Sequence, residues 1–330
     1  MDRQLYQYHP SWGYTFIPGL RTRIMHESGG YLLSVNRAGF RSAHDFREKN
    51  ESGRPRVLLF GDSFSAGMGV SDTARYPELL ERASDASVFN FSLPGTGTDQ
   101  HYLVWKDFAS TIEHDVVVLA VQVENIRRVN SRYRRFDNLF GNEMVLPKPY
   151  FELDQFGELK CGNYPVPKSP LSEKEMSEEQ AAHIERGGRF ELVRTFINKM
   201  GQPVKATIQK VIKPQPLPEY NHETGDDWIL MKAVLEKWCG EIKAPKVILL
   251  LPLYHYVEDL ADPTPYQERF QCFNDLPDTQ VLDPLPFLMK YPEAERRAFR
   301  FPVDIHPTRS LHRALADYLE PELGKLLSST

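Results

Sequence analysis

The chain predicts an open three-layer α/β fold around a mainly parallel sheet, preceded by an N-terminal cap and interrupted by a large insertion. Two observations carry this prediction. The runs at Val57–Phe60 (VLLF) and Val116–Val121 (VVVLAV) are almost continuously apolar, as befits parallel strands covered on both faces. Between and around them, strand-like and helix-like stretches alternate, the rhythm that produces a parallel sheet with right-handed crossovers.

In chain order, residues 1–54 hold aromatic residues with Gly and Pro punctuation. One extended candidate, Tyr31–Asn36, precedes a charged link, REKNESGRPR, so the segment reads as a cap or lead-in arm. Residues 55–135 form the first part of the core: the VLLF strand, a Gly-bearing turn, the helical stretch YPELLERA, a second run VFNFSL, the turn PGTGT, a second helical stretch and DVVVLAVQV. After Thr98, apolar side chains recur at Tyr102, Leu103, Trp105, Phe108 and Ile112, close to one helical face. Residues 136–242 break this rhythm with Pro-rich, charged and amphipathic pieces, including a helix from Asp226 to Glu241, and read as an insertion or lid over the sheet edge. The α/β theme resumes over 243–330 with KVILLLPL, TQVLD and a closing helix after Pro307. Its stripe is Leu311, Leu315, Tyr318, Leu319 and Leu323.

Composition removes several classes of function. With 41% hydrophobic residues there is apolar side chain enough for a substantial core, which excludes disorder over the whole length. The net charge of −5 argues against a nucleic-acid partner. The longest apolar run, Val247–Leu253, is broken by Pro252 and far too short to span a bilayer. The opening MDRQLYQYHPSWGY has no basic stretch followed by an apolar one, so a cytoplasmic location is expected. Cys161, Cys239 and Cys272 are odd in number and far apart, which supports neither a disulfide framework nor a zinc ribbon.

The chemistry concentrates at Leu58–Val70, LLFGDSFSAGMGV, where a strand runs into Gly61-Asp62-Ser63. Ser63 then sits at the carboxyl end of a parallel strand, the edge where open α/β sheets bind ligands. The same tripeptide also reads as a strand-to-helix turn with a capping serine. It is not a G-x-S-x-G elbow, because position 65 is Ser65. A serine nucleophile needs a base and oxyanion donors. At the far end RFPVDIHPT places Asp304 two residues before His306, a pair able to act as orienting acid and base, although such a pair taken alone more often serves as helix-entry or loop residues. Pro94-Gly95-Thr96-Gly97 and Glu124-Asn125-Ile126 follow the other two strands. There Gly95 lets the main chain approach a substrate and Asn125 offers an uncharged amide, although both also fit ordinary turns.

As an ordered set, these blocks resemble the SGNH (GDSL) hydrolase family, a fold of flavodoxin-like type. By that resemblance Ser63 is the nucleophile, Ser63, Gly95 and Asn125 are the oxyanion donors, and Asp304 and His306 complete a triad. NRAGFRS at Asn36–Ser42 is similar to bacterial members found among polysaccharide and cell-surface sugar genes. The closing block is Asp-x-His where the family commonly has Asp-x-x-His, and Glu124-Asn125 stands where it commonly has Asn-Asp.

The resemblance implies acyl transfer through Ser63, with no metal and no organic cofactor, on an O-acylated, in the first place O-acetylated, carbohydrate or another small ester. Water as acceptor makes an esterase and a sugar hydroxyl an O-acyltransferase. A non-catalytic carbohydrate-binding module of the same fold is the third alternative. Asp62, Arg127 and His255 are the expected substrate contacts. His312 is read as structural, and the crowded Arg127, Arg128, Arg132, Arg134 and Arg135 as a solvated basic loop paired to acids. The sequence leaves the oligomeric state, the acyl group and the sugar open.

Overall fold

The computed structural model describes residues 5–137, 143–185, 213 and 215–329. The expected insertion at 136–242 therefore lies partly outside the described residues. The chain begins with two antiparallel hairpins, β1 (Tyr6–His9) with β2 (Gly13–Phe16) and β3 (Arg21–Ile24) with β4 (Tyr31–Ser34). The sequence suggested only the last of these. Each strand has four residues, too short for period-two patterning to stand out.

The core sheet uses β5 (Arg56–Phe60), β6 (Ser87–Asn90) and β7 (Val116–Gln122). Among these run the short helix α1 (Ser63–Ala66), α2 (Tyr76–Ala83) and α3 (Thr98–Asp107), and α4 (Asn125–Val129) follows β7. Two hairpins then depart from the α/β rhythm, β8 (Tyr133–Asp137) with β9 (Glu143–Pro147) and β10 (Tyr150–Leu153) with β11 (Leu159–Gly162). A one-turn helix α5 (Glu178–Ala182) and the long α6 (Asp226–Glu241) lead back to β12 (Lys246–Leu251), and β13 (Thr279–Leu282) completes the sheet. The last helix, α7 (Arg309–Ser329), closes the fold.

The five core strands are parallel in the order β13-β12-β7-β5-β6. Every residue of β5, β7 and β12 is buried, which is why these segments read as unbroken apolar runs. The chain moves outward from β5 to β6 and then back past β5 to β7. With right-handed crossovers this reversal puts α2 and α3 on opposite faces, where α2 packs with α7 and α3 with α6. The reversal also opens a crevice between β5 and β7 at their carboxyl ends.

The arm belongs to the same core. Trp12, Phe16 and Phe40 are buried in it, and the Phe40 ring lies edge-on to Phe91 at 5.5 Å, which itself stacks on Phe60 at 5.0 Å. The NRAGFRS stretch has a structural reason. Asn36 Oδ1 accepts the N–H groups of Ala38 and Phe40, which turns the chain so that Arg41 enters the interior. Fully buried, Arg41 donates to the carbonyls of Leu32, Ala66, Gly67 and Val70 and to Asp72. It pins the loop after α1 to the arm.

Two buried histidines are expected to make the stability of the fold depend on pH. Burial lowers His101 from 6.5 to about 3, and burial together with Arg75 and Arg41 lowers His312 to about 3. His312 Nδ1 accepts the Tyr76 N–H at 3.3 Å, in line with the structural reading of that residue. Between these values the unfolded chain binds protons that the folded chain refuses, so stability falls as pH falls, by at most about 1.4 kcal/mol per pH unit for each group. Thermal melting between about pH 7 and about pH 4 is expected to show a steadily declining Tm. His312→Asn, which keeps an acceptor for Tyr76, is expected to flatten the decline; an unchanged slope would contradict this account.

Candidate active site

The crevice gathers three strand ends. After β5, Asp62 caps α1, its Oδ1 accepting the Phe64 N–H at 3.0 Å, and Ser63 is the first helical residue with 6% of its surface exposed. After β6 the chain passes through Pro94 and Gly95. Gly95 has φ +79, a conformation other residues rarely adopt, and a Cβ there would lie 2.8 Å from the Arg134 guanidinium and 3.0 Å from the Tyr14 hydroxyl. Tyr14 donates to the Pro94 carbonyl at 2.5 Å, so the arm fixes this loop too. After β7, Asn125 opens α4 and is fully buried.

Arg128, one helical turn beyond Asn125, joins these three ends. Its Nη1 donates to Asp62 Oδ2 at 2.6 Å, to Asn125 Oδ1 at 3.0 Å and to the Thr96 carbonyl at 3.3 Å, while Nε meets Glu185 at 3.3 Å. Burial alone would disfavour the charge, but Asp62 and Glu185 outweigh it and hold Arg128 above its usual range. The Arg128 contact also orients the Asn125 amide: the oxygen faces the guanidinium, and Nδ2 is left buried without a hydrogen-bond partner among the described residues. A buried orphan donor costs about 1–3 kcal/mol, and such exceptions in a native fold call for an explanation such as a ligand.

From the loop before α7, His306 Nδ1 meets Asp304 Oδ1 at 2.5 Å, and the His306 N–H also donates to that oxygen at 3.1 Å. Burial raises the Asp304 carboxyl, yet the bonds from His306 and His26 prevail and hold it well below the usual carboxylate range. Asp304 therefore stays charged and accepts the Nδ1 proton, leaving His306 Nε2 as the basic nitrogen. The His306 ring is 5.8 Å from that of Phe64, the neighbour of Ser63. Among the described residues the hydrogen bonds of His306 do not include Ser63, a contact that commonly tightens only in the substrate complex. Chemically, the arrangement offers a serine at a strand end, a carboxylate-paired imidazole against the neighbouring Phe64, and an amide N–H in reserve.

The expected substrate contacts fare differently. Asp62 has no exposed surface and is consumed by the α1 cap and Arg128; it supports the site from below. Arg127 turns away, onto Glu219 at 2.6 Å and the Pro216 carbonyl at 2.7 Å. His255 is buried after β12 and stacked on Tyr254 at 3.8 Å. The basic loop is laced with acids, Arg132 with Glu152, Arg134 with Glu185 and Arg135 with Glu173. Two participants were missed: Arg128, grouped with the solvated basic loop, is buried at the centre of the site, and His26 was not singled out. Arg128 carried a usable signal, since its i+3 spacing from Asn125 places both on one face of a helix. His26, which bonds the second oxygen of Asp304 from 278 residues away, carried none.

No family model matches the chain, and no curated protein matches it. Among solved structures it is similar to a member of the lipolytic G-D-S-L family from Veillonella parvula, with 12% identity over 80% of this chain and 95% of that one and a TM-score of 0.41. A lipase from a goat rumen metagenome shares 12% identity over 81% and 96%, with a TM-score of 0.43. An acetyl xylan esterase shares 13% over 81% and 98%, with a TM-score of 0.42. No helix among the described residues is long and apolar enough to cross a membrane.

Removing Arg128 strands three buried acceptors, on Asp62, Thr96 and Asn125. Arg128→Met is expected to lower the unfolding free energy by about 3–5 kcal/mol, measured by denaturant titration; a loss below about 1 kcal/mol would show that the strand ends hold themselves together.

Proposed function

We propose that this chain is a serine esterase of the SGNH type that removes an acyl group, acetyl in the first place, from an O-acylated carbohydrate. The observation that carries the reading is the buried Asn125 Nδ2–H without a partner among the described residues, on the same sheet edge as Ser63. Nothing in packing rewards such a group, whereas an oxyanion does.

The steps follow from the donors and acceptors. His306 Nε2 takes the Ser63 hydroxyl proton as Oγ attacks the ester carbonyl carbon. The resulting oxyanion is received by the N–H groups of Ser63 and Gly95 and by the Asn125 amide. Collapse expels the sugar oxygen, which takes the proton from His306, and leaves an acyl-serine. Water, deprotonated by His306, attacks that ester, and the carboxylic acid departs as Ser63 regains its proton. Asp304 steadies the imidazolium in both halves. The same sequence with a sugar hydroxyl in place of water is O-acyl transfer, so the acceptor separates the two activities.

A fluorophosphonate probe tests the nucleophile. Intact-mass analysis is expected to show one adduct, mapped to Ser63, absent in Ser63→Ala and strongly slowed in His306→Ala; a folded protein without an adduct would contradict the reading. Asn125→Ala is expected to lower kcat on an acetylated sugar or aryl acetate by about a hundredfold or more with little change in KM. An unchanged kcat would remove Asn125 from the oxyanion site. Acylated sugar accumulating in place of free acid when a sugar acceptor is added would replace hydrolysis by transfer.

A further inference from the structure

Asp304 stands between two imidazoles. Oδ1 meets His306 Nδ1 at 2.5 Å, and Oδ2 meets Nε2 of His26, from the turn joining β3 to β4, at 3.0 Å. We infer that His26 is a positioning residue of the proposed reaction, holding the second oxygen of Asp304 so that the carboxylate is presented to His306 in one orientation. This inference rests on the serine mechanism proposed above.

The proton on His26 is placed by its neighbours. The Ser28 N–H donates to His26 Nδ1 at 3.1 Å, which makes Nδ1 the acceptor and puts the hydrogen on Nε2, facing Asp304. Ser28 Oγ lies 3.0 Å from Nδ1 and donates to the Gly69 carbonyl at 3.2 Å, linking the turn to the loop after α1. The neighbouring Glu27 carboxylate receives the N–H groups of Val303 at 3.2 Å and Asp304 at 2.6 Å, so the loop is held by main chain as well as side chain. Phe301 and Tyr31 close on the His26 ring edge-on, at 4.6 and 5.8 Å. Gly69 makes the room. At φ +87, a Cβ there would come within 2.6 Å of Phe301 and 3.2 Å of His26.

A carboxylate with a single partner can rotate and offer either oxygen. With both oxygens held, the Nδ1 bond of His306 forms without a search, the economy that preorganised sites exploit. Asp304 also shares its charge with two donors. Removing one leaves the carboxylate's charge to the other donor alone. The titratable groups around this cluster are His26 and Glu27 from the arm, His306 on the same loop, and Tyr31 with Arg41 and Asp72 behind the His26 ring.

The test uses the full chain, with the rate constant for fluorophosphonate labelling of Ser63 followed across pH. His26→Leu is expected to slow labelling by roughly tenfold or more and to move the acid limb of the profile to higher pH. His26→Gln, whose amide can replace the Nε2–H donor, is expected to stay near the wild-type rate with an unmoved limb. In proton NMR, one of two downfield imidazole N–H resonances is expected to vanish in His26→Gln, a readout that holds even if the leucine variant does not fold. A folded His26→Leu with unchanged rate and profile overturns the inference, as does a slow His26→Gln. If Ser63→Ala is labelled like the wild type, the serine mechanism fails instead, and the two failures are told apart.

Discussion

One buried guanidinium ties the edge of the candidate site together. Arg128 bonds the cap of α1, the loop after β6 and the first residue of α4, so the three strand ends that carry Ser63, Gly95 and Asn125 are held relative to one charge. Taking Arg128 and Asp62 out of water costs several kcal/mol per ion, which is repaid only where the geometry is good and the remaining donors are satisfied. Here Glu185 accepts from the Arg128 Nε, and Lys148 donates to the Arg128 and Ser131 carbonyls at the end of α4. Both supports come from the segment that breaks the α/β rhythm, which therefore braces the site from behind.

Through the same contact Arg128 settles the orientation of Asn125. A guanidinium accepts nothing, so the amide must present its oxygen to it and its nitrogen elsewhere. The orphan N–H is thus a consequence of the ion pair, and a buried polar group that in a purely structural setting would be a fault becomes the most telling atom of the site.

The N-terminal arm plays the matching part for the loops that carry Ser63, Gly95 and Asp304. Arg41 binds four carbonyls and so fixes the loop after α1. Tyr14 holds the Gly95 loop from above, and the His26–Ser28 turn holds the acid. An arm that looks like a lead-in along the chain is in space a clamp across three of these loops, built on hairpins too short to be stable alone.

Much of this was legible because it is local. Buried parallel strands must be apolar throughout, so β5, β7 and β12 announced themselves, and the helices at Tyr76–Ala83 and Asp226–Glu241 fall where their patterns put them. The residues of the candidate site were legible as strand-end chemistry in a fixed order. What the sequence could not decide is which neighbour a side chain answers to across the chain. Arg127 and Arg128 are adjacent and alike, yet helical geometry sends one to Glu219 and the other to Asp62. His26 meets Asp304 across 278 residues, and Asp62 becomes a support because its partner lies 66 residues on. Periodicity and turn chemistry act within a few residues and are written in order along the chain. Pairing of buried charges depends on where the sheet brings distant loops, and only the tertiary structure decides that.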